Sequence, residues 1–195
     1  MRAIYDYIIY TDGGCECNPG GRGGYGAVII NNNTGELTDI SGGFRSTTNN
    51  RMEVMAVIKA LEKIKKDTHV QLFSDSQYVI KTMNGMFRKK KNIDLWKKLD
   101  KLAVAFEIEW NWVKGHNGNT YNERCDTLCQ EAMTLPELEE DVGYMNTDSV
   151  PEQSNTVAQS LEKYNMYPDC SDVESYQEKY LVNPICAKLI CQFYK

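Results

Sequence analysis

A chain of 195 residues with a net charge of −5 and 42% hydrophobic residues is long enough for one ordinary domain, or for one domain with a small appendix, and can bury a core without disulfide or metal staples. No apolar run reaches the length of a membrane-spanning helix. The N-terminal stretch MRAIYDYIIY lacks the apolar core and small-residue cleavage site of a secretory leader, so the sequence predicts a cytoplasmic protein. The acidity is uneven: residues 1–135 hold 18 Lys and Arg against 16 Asp and Glu, a balance of +2, whereas residues 136–195 hold 4 against 11, a balance of −7. An acidic total argues against a nucleic-acid binder, but the near-neutral first part does not. The seven cysteines follow no zinc-site spacing and read as reduced thiols used as small hydrophobes.

Ile4 to Thr11 is rich in Ile and Tyr, a strand signal, and ends in Asp12 and a Gly-rich turn. YGAVIINNNTGELTDISGGFRST reads as two strands joined by a turn at Asn32–Gly35. NNRMEVMAVIKALEKIKKD places Met52, Met55, Ala56, Ile58 and Leu61 at helical spacing, with Asn49 or Asn50 as the expected N-cap. HVQLFSDS is a short strand ending in Asp75, followed by a helix from about Gln77 to Met83 and another over IDLWKKLDKLAVAF. EIEWNWVKGH alternates as a strand into a Gly-containing loop, and NERCDTLCQEAMT is the last helix of this block. Strands interleaved with helices call for a mixed sheet covered by helices, whose ligands gather beyond the carboxyl ends of its strands.

Past Met133 the pattern breaks. Residues 136–152 are acidic, carry two prolines and read as a linker. Residues 153–195 suit three short helices with Ser, Asp or Asn caps, a small helical extension. The domain reading is therefore a catalytic unit over 1–135, a linker over 136–152 and an extension over 153–195.

Four acids stand out by position: Asp12 and Asp75 at strand ends, Glu53 near the start of the main helix, and Asp126 near the start of the last. Each has a plain explanation, since Asp closes strands and acids suit helix N-termini. Gathered at one sheet edge they would repel one another unless cations neutralise them. Oxygen-only ligands suit Mg²⁺, and paired Mg²⁺ ions on carboxylates are a device of phosphodiester hydrolysis.

YTDGGCECNPGGRGGYGAV, TTNNRMEVMAVIKAL, SDSQYV and VKGHNGNTYNERCD resemble, in order, the four signature blocks of type-1 ribonuclease H, over about residues 3–133. The resemblance implies an α/β fold with a mixed five-stranded sheet flanked by helices. It implies an enzyme that cleaves the RNA strand of RNA–DNA hybrids with two Mg²⁺, or Mn²⁺ in substitution, leaving 5′-phosphate and 3′-hydroxyl ends. By its motifs, Asp12, Glu53, Asp75 and Asp126 hold the ions and His116, in a loop, assists proton transfer or product release.

The same resemblance makes Asn18, Asn49, Asn50 and Gln77 readers of the hybrid's 2′-hydroxyls, with the backbone around Gly13 and Cys15 close to the groove and Thr48 on a DNA-strand phosphate. Helix capping is an equally simple role for the Asn pair. Many family members insert a basic, Trp-rich handle before IDLW. Here that segment is short and without Trp, and Arg88, Lys89, Lys90 and Lys91 are left as the candidate phosphate contacts. The acidic extension, with six aromatic residues from Tyr164 to Tyr194, suits a protein partner or docking on its own domain. The rival readings are a non-catalytic hybrid- or protein-binding module on the same fold, and another enzyme of this architecture such as a strand transferase or junction resolvase.

Overall fold

The computed structural model describes residues 5–147, and side chains through 145. Three strands come first: β1 (Tyr7–Cys15), β2 (Gly23–Asn31) and β3 (Leu37–Phe44). Then follow α1 (Asn49–Leu61), β4 (Thr68–Ser74), α2 (Gln77–Met83), α3 (Ile93–Ala103), β5 (Phe106–Trp112), α4 (Thr120–Met133) and the short α5 (Val142–Thr147). The five strands form one mixed sheet in the order β3-β2-β1-β4-β5. β1, β2 and β3 pair antiparallel, whereas β1–β4 and β4–β5 are parallel. Parallel neighbours cannot be joined by a tight turn, and helical crossovers supply their connections.

Strand alternation divides the apolar residues between two faces. Tyr7, Ile9, Ala27, Ile29, Val70 and Leu72 pack with α1 and with Trp96 and Leu99 of α3 in the main core. On the opposite face Val28 meets Cys125 and Leu128 of α4, with Tyr10 and Ile30 alongside. The β2–β3 turn falls where Asn32–Gly35 places it: Asn31 Oδ1 accepts from the backbone of Asn33 and Thr34, and Gly35 takes a φ of 75°. No described helix is long and apolar enough to cross a membrane.

Four boundaries differ from the sequence reading. β1 does not stop at Thr11 but pairs with the Gly-rich start of β2 as far as Cys15. The N-cap of α1 is Thr48, which accepts from the Arg51 nitrogen, rather than Asn49 or Asn50. α3 ends at Ala103 because Phe106 already pairs with Thr68 in the sheet. Residues 136–145, part of the span read as linker, are docked: Leu138 is buried and Phe44 bridges to Glu139. Asp141 is also buried, on the Arg51 guanidinium. Residues 148–152 of that span and the helices expected over 153–195 lie outside the described residues.

Candidate active site

The sheet register brings two carboxylates together. Thr11↔Ser74 is the last β1–β4 pair; β1 then continues beside β2 alone. Asp12 follows that pair on β1, and Asp75 follows it just beyond the end of β4. α1 lies over the same place because Gly13 has no side chain: a Cβ there would stand 2.2 Å from the Glu53 nitrogen. Glu53, one turn into α1, is 8% exposed. One oxygen from each of Asp12, Glu53 and Asp75 falls within 4.8 Å of the other two.

At this spacing the protonation of Asp12 and Glu53 is altered. Burial and then the Asp75 charge push the Asp12 carboxyl up to about 7, although the Gly13 N–H, 2.8 Å from Oδ1, works the other way. Glu53 is raised well above the ordinary range, first by burial and then by Asp12 and Asp75. Its Oε1 accepts from Asn49 Nδ2 at 3.4 Å, and the Ser76 side chain also lowers the Glu53 pKa, but among the described residues Oε2 is buried without a close hydrogen-bond partner. An orphaned buried carboxylate oxygen facing like charges fits a cation, and an oxygen-only donor set fits a hard divalent ion.

Asp126 stands outside this trio. It lies on α4 with its side chain 31% exposed; Gln130 Nε2 donates to Oδ1 at 3.2 Å and His116 Nδ1 stands 4.0 Å from Oδ2. Its charge still raises Asp12. His116 is 80% exposed in the β5–α4 loop and holds a left-handed φ of 50°. Asn119 caps the helix that follows, accepting from the Tyr121 and Asn122 nitrogens.

The other expected residues surround this edge. Asn18 Oδ1 accepts from the Asn49 nitrogen at 3.1 Å, so the β1–β2 loop is tied to the start of α1. Thr48 caps that helix, Asn49 is half-buried against Glu53, and Asn50 is exposed. The Cys15 thiol lies 3.5 Å from the Gly21 carbonyl and 3.6 Å from that of Thr47. Gln77 opens α2 and accepts from Lys81 Nζ at 2.7 Å. Arg88, Lys90 and Lys91 are exposed between α2 and α3, with no helix intervening, but Lys89 is held by Asp100 and lies 5.5 Å above the Trp96 ring.

Three contributors escaped the sequence reading. Arg51, 1% exposed, hydrogen-bonds both Asp94 and Asp141, and those partners keep it charged against its burial. Asn122 donates to Asp75 Oδ2 at 3.1 Å, and the Trp112 indole donates to the Asp75 carbonyl at 3.0 Å. NNRME and NERCD contain Arg51 and Asn122, but their partners lie far away in sequence.

The RNase H family model matches residues 5–134. A ribonuclease H of Aeromonas salmonicida is 47% identical over 149 residues, 70% of this chain and 95% of that protein. One from Desulforamulus reducens is 45% identical over 153 residues, 71% and 94% of the two chains. Among solved structures, LC11-RNase H1 in complex with an RNA/DNA hybrid superposes with a TM-score of 0.56 at 29% identity, covering 65% of this chain and 96% of that one. The N-terminal RNase H domain of a Mycobacterium tuberculosis protein gives 0.59 at 25% identity, covering 73% and 99%. The sheet order, the carboxylates at its edge and these matches together show that the chain belongs to the RNase H family of endonucleolytic hydrolases.

Proposed function

We propose that the chain cuts the RNA strand of RNA–DNA hybrids by metal-dependent phosphodiester hydrolysis, with two Mg²⁺, or Mn²⁺ in their place, and leaves 5′-phosphate and 3′-hydroxyl ends. The observation that carries this reading is the trio of Asp12, Glu53 and Asp75, with one oxygen of each within 4.8 Å of the others. LC11-RNase H1, solved with an RNA/DNA hybrid, supports that duplex as the substrate.

Asp12, Glu53 and Asp75 offer the oxygens, and Asp126 completes the set from α4. Bound there, two Mg²⁺ would activate a water as nucleophile and offset the charge that develops on the departing oxygen. His116, exposed beside Asp126, assists proton transfer or product release. Asn18, Asn49, Asn50 and Gln77 meet the 2′-hydroxyls of the wide minor groove, where RNA is distinguished from DNA. The Gly13 and Cys15 backbone lies close to that groove. Thr48, Arg88, Lys90 and Lys91 contact phosphates, with Lys89 the least available of the basic run because Asp100 holds it.

The test is cleavage of a labelled RNA–DNA hybrid with and without Mg²⁺, beside duplex RNA, duplex DNA and single-stranded RNA, with Asp75→Asn as control. Metal-dependent cutting of the hybrid's RNA strand alone, lost in the variant, is the expected result. Tight hybrid binding without cutting would make the chain a binding module instead.

A further inference from the structure

Asp75 is gripped from two sides by residues that carry no charge. Asn122, in the first turn of α4, is 2% exposed and donates from Nδ2 to Asp75 Oδ2 at 3.1 Å. Trp112, at the end of β5, is opposite Ser74 in the parallel register and donates from its indole to the carbonyl of the next residue, Asp75, at 3.0 Å. Gly115 closes the third side: a Cβ there would stand 2.5 Å from Asp75 Oδ2.

Folding alone does not explain Asn122. The cap of α4 is already supplied by Asn119, and Asn is a poor helix former. Among the described residues its Oδ1 is buried without a hydrogen-bond partner, which costs stability. Trp112, for its part, leaves about half of a large apolar ring in solvent, 49% exposed, while its N–H is spent on one backbone oxygen. Both features make sense if they fix Asp75. With Oδ2 engaged by Asn122, Oδ1 has no hydrogen bond from the described residues and stays open to a ligand. Asn122 also precedes Asp126 by four residues, so the two lie one above the other on α4. The amide therefore ties the first turn of α4, one turn before Asp126, to Asp75.

Resting on the functional reading above, we infer that Asn122 and Trp112 are positioning residues for Asp75, holding its carboxylate and its carbonyl so that the metal site is set before the ions arrive. Partners of this kind orient the groups that touch a metal, and their loss typically costs about 10–100-fold in metal affinity or activity.

The experiment uses the full chain, its Asn122→Ala and Trp112→Phe variants, and Mg²⁺ as the probe. Calorimetric titration with Mg²⁺ in the absence of nucleic acid is read beside kcat and KM on the hybrid and the melting temperature without metal. Asn122→Ala is expected to weaken Mg²⁺ binding roughly 10–100-fold and to lower kcat at limiting Mg²⁺, with KM for the hybrid unchanged. Trp112→Phe, which keeps the ring and removes the donor, moves both in the same direction by a smaller factor. A merely structural role would lower the melting temperature and leave Mg²⁺ affinity and kcat at parental values, and that result overturns the inference. Should Asn122→Ala fail to fold, Trp112→Phe at its half-exposed position decides, and parental affinity there overturns it equally. If the parent takes up Mg²⁺ and cuts hybrids while both variants match it, the positioning roles fall and the functional reading stands. A parent that takes up no Mg²⁺ and cuts no hybrid removes the functional reading and this inference together. One that cuts the hybrid but takes up no Mg²⁺ alone overturns only the claim that the site is set before the ions arrive.

Discussion

Gly13 lies against the backbone of Glu53 so closely that a methyl group at position 13 would stand 2.2 Å from the Glu53 nitrogen and 2.3 Å from the Met52 carbonyl carbon. Gly13 follows Asp12, so this close approach sets the distance between two of the three clustered carboxylates. Gly13→Ala is expected to push α1 away from β1, cost roughly 1–3 kcal/mol and lower cleavage by more than the fraction unfolded accounts for. Urea unfolding together with hybrid cleavage at saturating Mg²⁺ separates the two effects.

The clustered acids set a pH dependence with a definite sign. Asp12 is raised from about 4 in an unfolded chain to about 7, and Glu53 is raised as well. Between those values the native state holds protons that the unfolded state has released. The metal-free protein therefore loses stability as pH rises from about 4 to about 7, and Glu53, raised in the same direction, adds to the loss. Melting temperatures across this range in a chelator should fall, and saturating Mg²⁺ should flatten the upper part of the curve. Asp12→Asn should stabilise the metal-free protein at pH 8 by roughly 1–3 kcal/mol while removing cleavage.

Arg51 tests the docked segment. Its guanidinium meets Asp141 at 2.6 and 2.7 Å, and Thr47 donates to the same carboxylate at 2.6 Å. Asp141→Ala leaves a buried cation with Asp94 alone and a buried hydroxyl without its acceptor. The expected loss is about 3 kcal/mol in urea unfolding. Gly143→Ala should act in the same direction, because its Cβ would fall 2.0 Å from Asp94 Oδ2.

Salt dependence separates the members of the basic run. Arg88, Lys90 and Lys91 are exposed, whereas Lys89 is paired with Asp100 and lies over Trp96. Changing Arg88, Lys90 or Lys91 to Gln should raise KM for the hybrid and reduce the slope of log KM against log salt by about one for each phosphate left without its cation. Lys89→Gln should change that slope least. Initial rates from 50 to 200 mM salt provide the comparison.

The features legible in the sequence are those written locally. α2 spans Gln77–Met83 as its flanking residues indicate, and the Asn32–Gly35 turn joins β2 to β3. Asp12, Glu53 and Asp75 could be chosen because each has a recognisable place on its own element. What escaped depends on partners distant in sequence. The continuation of β1 to Cys15 is stabilised by β2, and a Gly-rich stretch carries no strand signal of its own. Thr48 rather than Asn49 caps α1, since Asn49 is drawn toward Glu53. Asp141 looked like one more acid in a linker because Arg51, the cation that buries it, lies 90 positions earlier. Asn122 likewise reaches Asp75 across 47 positions.

The direction of one strand pairing has a further consequence. β1 and β4 run side by side through five pairs, from Tyr7↔Val70 to Thr11↔Ser74, and point the same way. Both chains therefore leave the shared ladder at the same rim, and each releases an aspartate there. Had β4 returned as a hairpin partner of β1, the residue following it would emerge at the far rim, about 13 Å away for four steps of strand rise. The long detour through β2, β3 and α1, which a tight turn would have saved, is what lets two acids 63 positions apart in the chain share one cation-sized space.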